Sequence, residues 1–187
     1  MNALSIVRTA FAGLLLTGSV AAVAEQPSYS YVEVGGGYVD VDVSGVSGET
    51  GFFGGFSAAF GENFYGRASF EEYDFSGFDL QIIKAGLGYR MPLNTRTDVN
   101  FELGYNEIDV GVADADGVRG TVGVRSRMSP RFEGGAYAGY VADSSDGDVI
   151  VGLEGNALLT DRFAVTFQFE SYDFDVNIGR VGLRLMF

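Results

Sequence analysis

From Tyr29 to Phe187 the chain alternates apolar and polar residues with a period of two, in ten runs broken by turn residues. That period belongs to strands with two unlike faces, and no segment keeps an apolar stripe at helical spacing for three turns. The runs lie near 29–40, 51–60, 64–74, 79–90, 97–108, 117–127, 132–141, 149–159, 163–173 and 177–187. The clearest set Val99, Phe101, Leu103 and Tyr105 against Asp98, Asn100, Glu102 and Gly104. Short turns at 61–63, 91–96, 128–131 and 160–162 alternate with acidic, often Gly-bearing loops at 40–50, 75–78, 109–116, 142–148 and 173–176. Without helical crossovers such a chain is an antiparallel meander, and ten strands that return to their start leave no open edge. The expected fold class is therefore all-β, a closed antiparallel up-and-down β-barrel of ten strands.

The chemistry of the two faces decides the solvent. One face carries Glu33, Arg67, Glu71, Lys84, Arg90, Asp98, Glu102, Arg119, Arg125, Arg127, Glu133, Glu154, Glu170, Arg180 and Arg184, joined by Tyr65, Tyr73 and Tyr137. Eight bases against seven acids is close to neutral, as an enclosed, internally paired lumen requires. The opposite face is aliphatic and aromatic, with Phe52, Phe70, Leu87, Phe101, Leu103, Val122, Leu153 and Val165. A soluble lipocalin-like barrel would bury the fifteen ionisable groups or expose the apolar face to water. A transmembrane barrel puts that face in hydrocarbon, which a tilted strand of roughly 9–11 residues crosses. Phe64, Tyr89, Phe132, Phe163 and Phe187 near the short turns, and Tyr38, Tyr105, Tyr140 and Phe169 near the other ends, form two candidate aromatic girdles. Gly35, Gly37, Gly86, Gly88 and Gly104 on the inner face are expected to make room for Arg and Tyr side chains.

The first residues read as an address. Arg8, the apolar stretch Ala10–Val20 and the small-x-small Ala22-Val23-Ala24 predict a cleavable signal peptide over 1–24 and a barrel over 25–187. The second class of loop, with its flanks, holds fifteen acids from Asp40 to Asp175 and no Lys or Arg. With the N-terminus in the periplasm, these loops emerge on the cell exterior and the C-terminus returns to the periplasm. The expected location is the outer membrane of a Gram-negative bacterium.

Composition narrows the activity. The chain has neither Cys nor His, which removes Ser-His-Asp and Cys-His catalysis and the usual zinc sites. A formal charge of −13 without a basic cluster excludes a general nucleic-acid binder. The stretch Asn63–Phe75 is echoed by Arg162–Phe174, which places Glu71 and Glu170 at equivalent positions. These two carboxylates are expected to be ion-pair partners of Arg67, Arg180 and Arg184 rather than an acid/base pair, and the chain is expected not to be an enzyme. No cofactor is expected. Asp114, Asp116, Asp143, Asp146 and Asp148 could hold Ca²⁺ or Mg²⁺ weakly, bridging to lipopolysaccharide phosphates, though Asp-Gly is also an ordinary turn signal. Three functions stay open: a largely plugged structural or surface-exposed barrel, a narrow porin-like cation-preferring channel, and an adhesin or recognition protein.

Tyr29-Ser-Tyr-Val-Glu-Val-Gly-Gly-Gly-Tyr38, Met128-Ser-Pro-Arg-Phe-Glu-Gly-Gly-Ala-Tyr-Ala-Gly-Tyr140 and the terminal aromatic after alternating apolar residues carry a resemblance. The sequence resembles the small outer-membrane β-barrels of xanthomonads and related gammaproteobacteria, once discussed as secreted elicitors of plant immunity. That resemblance implies outer-membrane insertion by the general assembly machinery, and the expected partners are that machinery, outer-membrane lipid at the apolar face and lipopolysaccharide at the acidic loops. It makes Val181, Leu183, Leu185 and Phe187 the C-terminal assembly signal. It supplies no catalytic residue.

Overall fold

Each of the ten alternating runs is a strand in the computed structural model, which describes residues 26–42, 48–75, 78–111, 114–142 and 147–187. The strands are β1 (Tyr31–Val41), β2 (Glu49–Phe60), β3 (Phe64–Phe75), β4 (Phe78–Pro92), β5 (Thr97–Asp109), β6 (Asp114–Ser129), β7 (Phe132–Ala142), β8 (Gly147–Leu158), β9 (Phe163–Tyr172) and β10 (Val176–Met186). Each pairs antiparallel with its neighbours in sequence, and β1 closes onto β10 from Tyr31↔Met186 to Val41↔Val176. Every central backbone group thereby finds a ladder partner, and no edge is left. The leader over 1–24 lies outside the described residues, as do Asp143 and Asp146.

Most strand ends shift by one or two residues from the sequence expectation, and β4 and β6 show what decides them. Met91 and Pro92 extend β4, paired with Val99 and Asp98, so the following turn is only 93–96. β6 is longer at both ends, pairing Asp114 with Asp109 and reaching Ser129 through an irregularity between Arg127 and Ser129. Asp and Gly suggest a turn at 114–117, but the ladder with β5 continues through them. Tertiary pairing outweighs local turn preference there.

A tight turn joins β9 to β10. Asp173 and Phe174 both have positive φ, 47° and 67°, and Asp175 N donates to Tyr172 O at 3.0 Å. This is the two-residue geometry that matches strand twist, normally filled by Asn or Gly. Asp173 tolerates it and fastens it, its Oδ1 accepting from Val149 N at 2.7 Å. Phe174 occupies a conformation unfavourable to a bulky residue while its ring stands 70 % exposed.

Side-chain alternation sorts the two faces. Val34, Leu87, Leu103, Leu153, Val181 and Leu183 face outward at between 57 % and 65 % exposure, forming an apolar band around the wall. Phe64, Tyr89, Phe163 and Phe187 also point outward at the short-turn end, and Tyr38, Tyr105, Tyr140 and Phe169 on the acidic-loop side. Inward-facing glycines accept rings. A Cβ on Gly35 would strike Phe53, one on Gly37 would strike Tyr73, and one on Gly88 would lie inside the Tyr65 ring. The space at these three goes to Tyr, as expected from sequence, and to Phe in place of Arg, because a flat ring can lie against bare backbone, while Gly86 and Gly104 let their two backbones approach each other.

Candidate functional site

The inward row of β10 displays the organisation of the interior. From the acidic-loop end it reads Ile178, Arg180, Gly182, Arg184, Met186, an apolar residue at each end and two cations between. Register carries this layering round the barrel. Three zones result: an apolar cap, a charged middle and an aromatic-lined short-turn mouth.

The upper charged layer centres on Glu170 of β9 and Glu71 of β3, the two residues equivalent in the internal repeat. Lys84 Nζ lies 3.1 Å from Glu71 Oε1 and also reaches Glu170 Oε1. Arg180 binds Glu71 through Nε at 2.7 Å and Glu170 through Nη2 at 3.5 Å. Arg119 Nη2 donates to Glu170 Oε2 at 2.6 Å, and Tyr137 Oη donates to the same oxygen. The repeat reproduces a Tyr as well: Tyr73 Oη donates to Glu71 at 2.9 Å, and Tyr172 Oη to Glu170 at 2.9 Å.

The lower charged layer closes the barrel seam. Arg184 on β10 sits opposite Glu33 on β1 and donates to its Oε2 from Nε at 2.9 Å and Nη2 at 2.6 Å. Gln168 Nε2 donates to both Glu33 oxygens, and Arg67 approaches Glu33 at 4.0 Å. Arg125 binds Glu133 through Nε at 2.9 Å and lies 3.5 Å from Glu154 Oε1. The expected pairing of Glu71 and Glu170 with Arg67 and Arg184 is therefore incorrect for those two arginines. Both stand one layer lower, level with Glu33, while Lys84 and Arg119 stand level with Glu71 and Glu170.

Of the remaining ionisable residues on this face, Glu102 lines the central cavity with Arg67 and Lys84. Arg90 and Asp98 sit at the short-turn mouth, 3.7 Å apart. Arg127 is also at that rim, where its Nη2 reaches Pro130 O at 3.5 Å. Val181, Leu183, Leu185 and Phe187, the positions expected to form an assembly signal, share the outward face of the closing strand region. Among the described residues no group of three acids is placed to hold a metal. Asp116 and Asp148 stand on neighbouring acidic connections, at the starts of β6 and β8.

Sequence reasoning missed the apolar layers inside. Val39, Leu80, Ile82, Val141, Ile150 and Ile178 pack with Tyr73 and Tyr172 into a buried cluster at the acidic-loop end. Val41, Phe75, Ile108, Val110 and Val176 pack against it from above. At the other end Tyr31, Leu158, Ala164 and Met186 form a second cluster. Tyr31 also lies beneath Arg184, whose guanidinium carbon is 3.8 Å from the ring centroid. The signal was present in the alternation itself. Toward the acidic loops the outward row turns from Tyr38 to Asp40, from Phe70 to Glu72 and Asp74, and from Tyr105 to Glu107 and Asp109. The inward row turns apolar over the same residues. Outside becomes polar and inside apolar, the arrangement of a barrel standing in water.

Among the described residues, the charged middle holds a cavity of about 30 Å³, bounded by Glu33, Arg67, Ser69, Lys84, Glu102 and Gln168 among others. A water needs roughly 10–15 Å³ on this measure, so the space suits one or two. At the short-turn mouth, Tyr29 is buried against Tyr65 at 4.7 Å, flanked by Arg125 at 5.0 Å and Arg90 at 5.4 Å. Burial pushes the Tyr29 phenol above its ordinary range, so it stays neutral.

No family model and no curated protein matches this chain. Among solved structures, the chain is similar to the KdgM porin at 11 % identity, with 84 % of this chain and 99 % of that one covered and a TM-score of 0.49. It is similar to Ail, the attachment invasion locus protein of Yersinia pestis, at 15 % identity, 86 % and 99 % coverage and a TM-score of 0.42. For the translocator domain of the autotransporter NalP from Neisseria meningitidis the values are 12 %, 98 % and 94 %, with a TM-score of 0.45.

Proposed function

We propose that this chain is an outer-membrane β-barrel with an occluded interior, a structural and surface-exposed protein rather than a conduit. Three features support the membrane reading together: a closed ladder, an apolar outer band, and ion pairs held inside. A lipid-facing sheet must close, because each unpaired backbone group in hydrocarbon costs several kcal/mol. In water the same band would be a large exposed patch that drives association. The short turns and both termini belong on the periplasmic side, with the acidic loops outside.

The observation that carries the occluded reading is the filled lumen. A cavity of about 30 Å³ lies among charges that bond one another, with the apolar cap above it and Tyr29, Tyr31 and Tyr65 below. An ion crossing this interior would have to break the Glu71–Arg180–Glu170–Lys84 cluster and then lose its hydration in the cap. The test is planar-bilayer recording of the refolded protein, paired with gel migration before and after heating. Faster migration of the unheated sample and no discrete current steps are expected. Reproducible steps with cation selectivity would establish the narrow channel instead.

A further inference from the structure

We infer that residues 26–30 form a releasable strap across the short-turn mouth, so that the polar lower lumen is reachable from that side alone. The regular β1 ladder begins only at Tyr31. Before it, the chain is fastened largely by side chains. Ser57 Oγ donates to Tyr29 O at 2.8 Å, Ala59 N to Ser30 Oγ at 3.1 Å, and Arg90 Nη1 to Gln26 Oε1 at 3.3 Å. The last backbone anchor is Phe187 N donating to Ser30 O at 3.1 Å, which makes Ser30 the hinge. A segment held this way opens at far smaller cost than a strand paired on both sides.

Beneath Tyr29 a continuous polar path leads inward. Arg125 stacks on its ring and binds Glu133, Asn156 Nδ2 reaches the same Glu133 oxygen at 3.5 Å, and Thr166 sits opposite Asn156. Along this path Asn156 Oδ1, Thr166 Oγ1 and Arg184 Nη1 are buried without a partner from the protein. Closing the strap keeps these groups from bulk water, and opening it lets them hydrate, which favours release. The Tyr29 ring, clasped by Tyr65 and two guanidiniums, opposes it. The far end has no such balance, since the cap joins apolar residues from seven strands, each held in a two-sided ladder.

The chain contains no Cys, so single-cysteine labelling in the full-length folded protein reads each end cleanly. The reporters are Thr166→Cys in the lower lumen and Val39→Cys in the cap, the probe a small charged methanethiosulfonate. Thr166→Cys is expected to react about tenfold faster or more when Tyr29→Gly is added, with Tyr29→Phe close to the parent and Val39→Cys protected throughout. A Thr166→Cys rate indifferent to residue 29 would overturn the inference. So would equal acceleration at both reporters, which signals general loosening. The inference rests on the occluded reading for its far seal, and the two fail separately: current steps from the parent protein end that reading, whatever the labelling rates.

Discussion

Glu170 accepts hydrogen bonds from five side chains, on β4, β6, β7, β9 and β10. Three of those donors are cations with little access to solvent. Glu170→Gln leaves them facing one another with the charge removed, a loss of about 3–5 kcal/mol by the usual cost of breaking a buried pair. Denaturant unfolding in detergent checks it, with the exposed Glu62→Gln as a reference expected to stay within about 0.5 kcal/mol. Glycines give a second contrast. On the inside, Gly88→Ala would force the Tyr65 ring away from Tyr29, at about 1–3 kcal/mol. On the outside nothing lies within 4 Å of the Gly179 position, and Gly179→Ala is expected to be neutral or mildly stabilising in the same unfolding assay. Phe174 inverts the argument, since Phe174→Gly removes a bulky residue from positive φ. A gain of about 1 kcal/mol is expected, and a loss would mean that its exposed ring makes contacts that outweigh the strain.

At the scale of strands, alternation reports more than which face is which. The outward row of β5 runs Val99, Phe101, Leu103, Tyr105, Glu107, Asp109, and on the membrane reading the change after Tyr105 marks where the wall leaves hydrocarbon. Leu103→Arg places a charge in mid-band and is expected to cost about 2–4 kcal/mol in lipid. Asp116→Arg, beyond the boundary, is expected to cost nothing, because Asp116 lies opposite Glu107 and the change relieves a like-charge pair. Equal penalties at the two positions would move the boundary above Asp116. The ten strands and their closure were legible in sequence because the signal is local, a two-residue period between turn residues. Inward orientation of the charges followed from the same period. Which charge meets which did not, since that depends on height along the barrel: Glu33 and Arg184 are 151 residues apart yet level across the seam. The cap was also missed, because reading one face as polar throughout assumes one solvent along the strand, whereas Ile178 and Arg180 of the same row belong to different zones.

On the occluded reading, the closures across the whole molecule act in series. The strap covers the short-turn mouth, two layers of ion pairs fill the middle, and the apolar cap seals the acidic-loop end. Each resists an ion by different physics: steric cover, fixed charge that must unpair, and a largely apolar lining that strips hydration. In series, the largest remaining barrier governs the current, so losing one closure leaves the path shut. Tyr29→Gly, which removes the strap's anchor, and Ile178→Gly, which removes apolar volume from the cap, are each expected to stay silent in planar bilayers. Their combination is expected to stay silent too, since the Glu71–Lys84–Glu170–Arg180 cluster still spans the lumen from β3 to β10. The unheated protein must still migrate as a folded barrel for silence to count. Current steps in Tyr29→Gly alone would mean that cap and ion pairs already pass ions and that the strap is the gate. Steps in Ile178→Gly alone would place the gate in the cap and show the charged middle to be permeable.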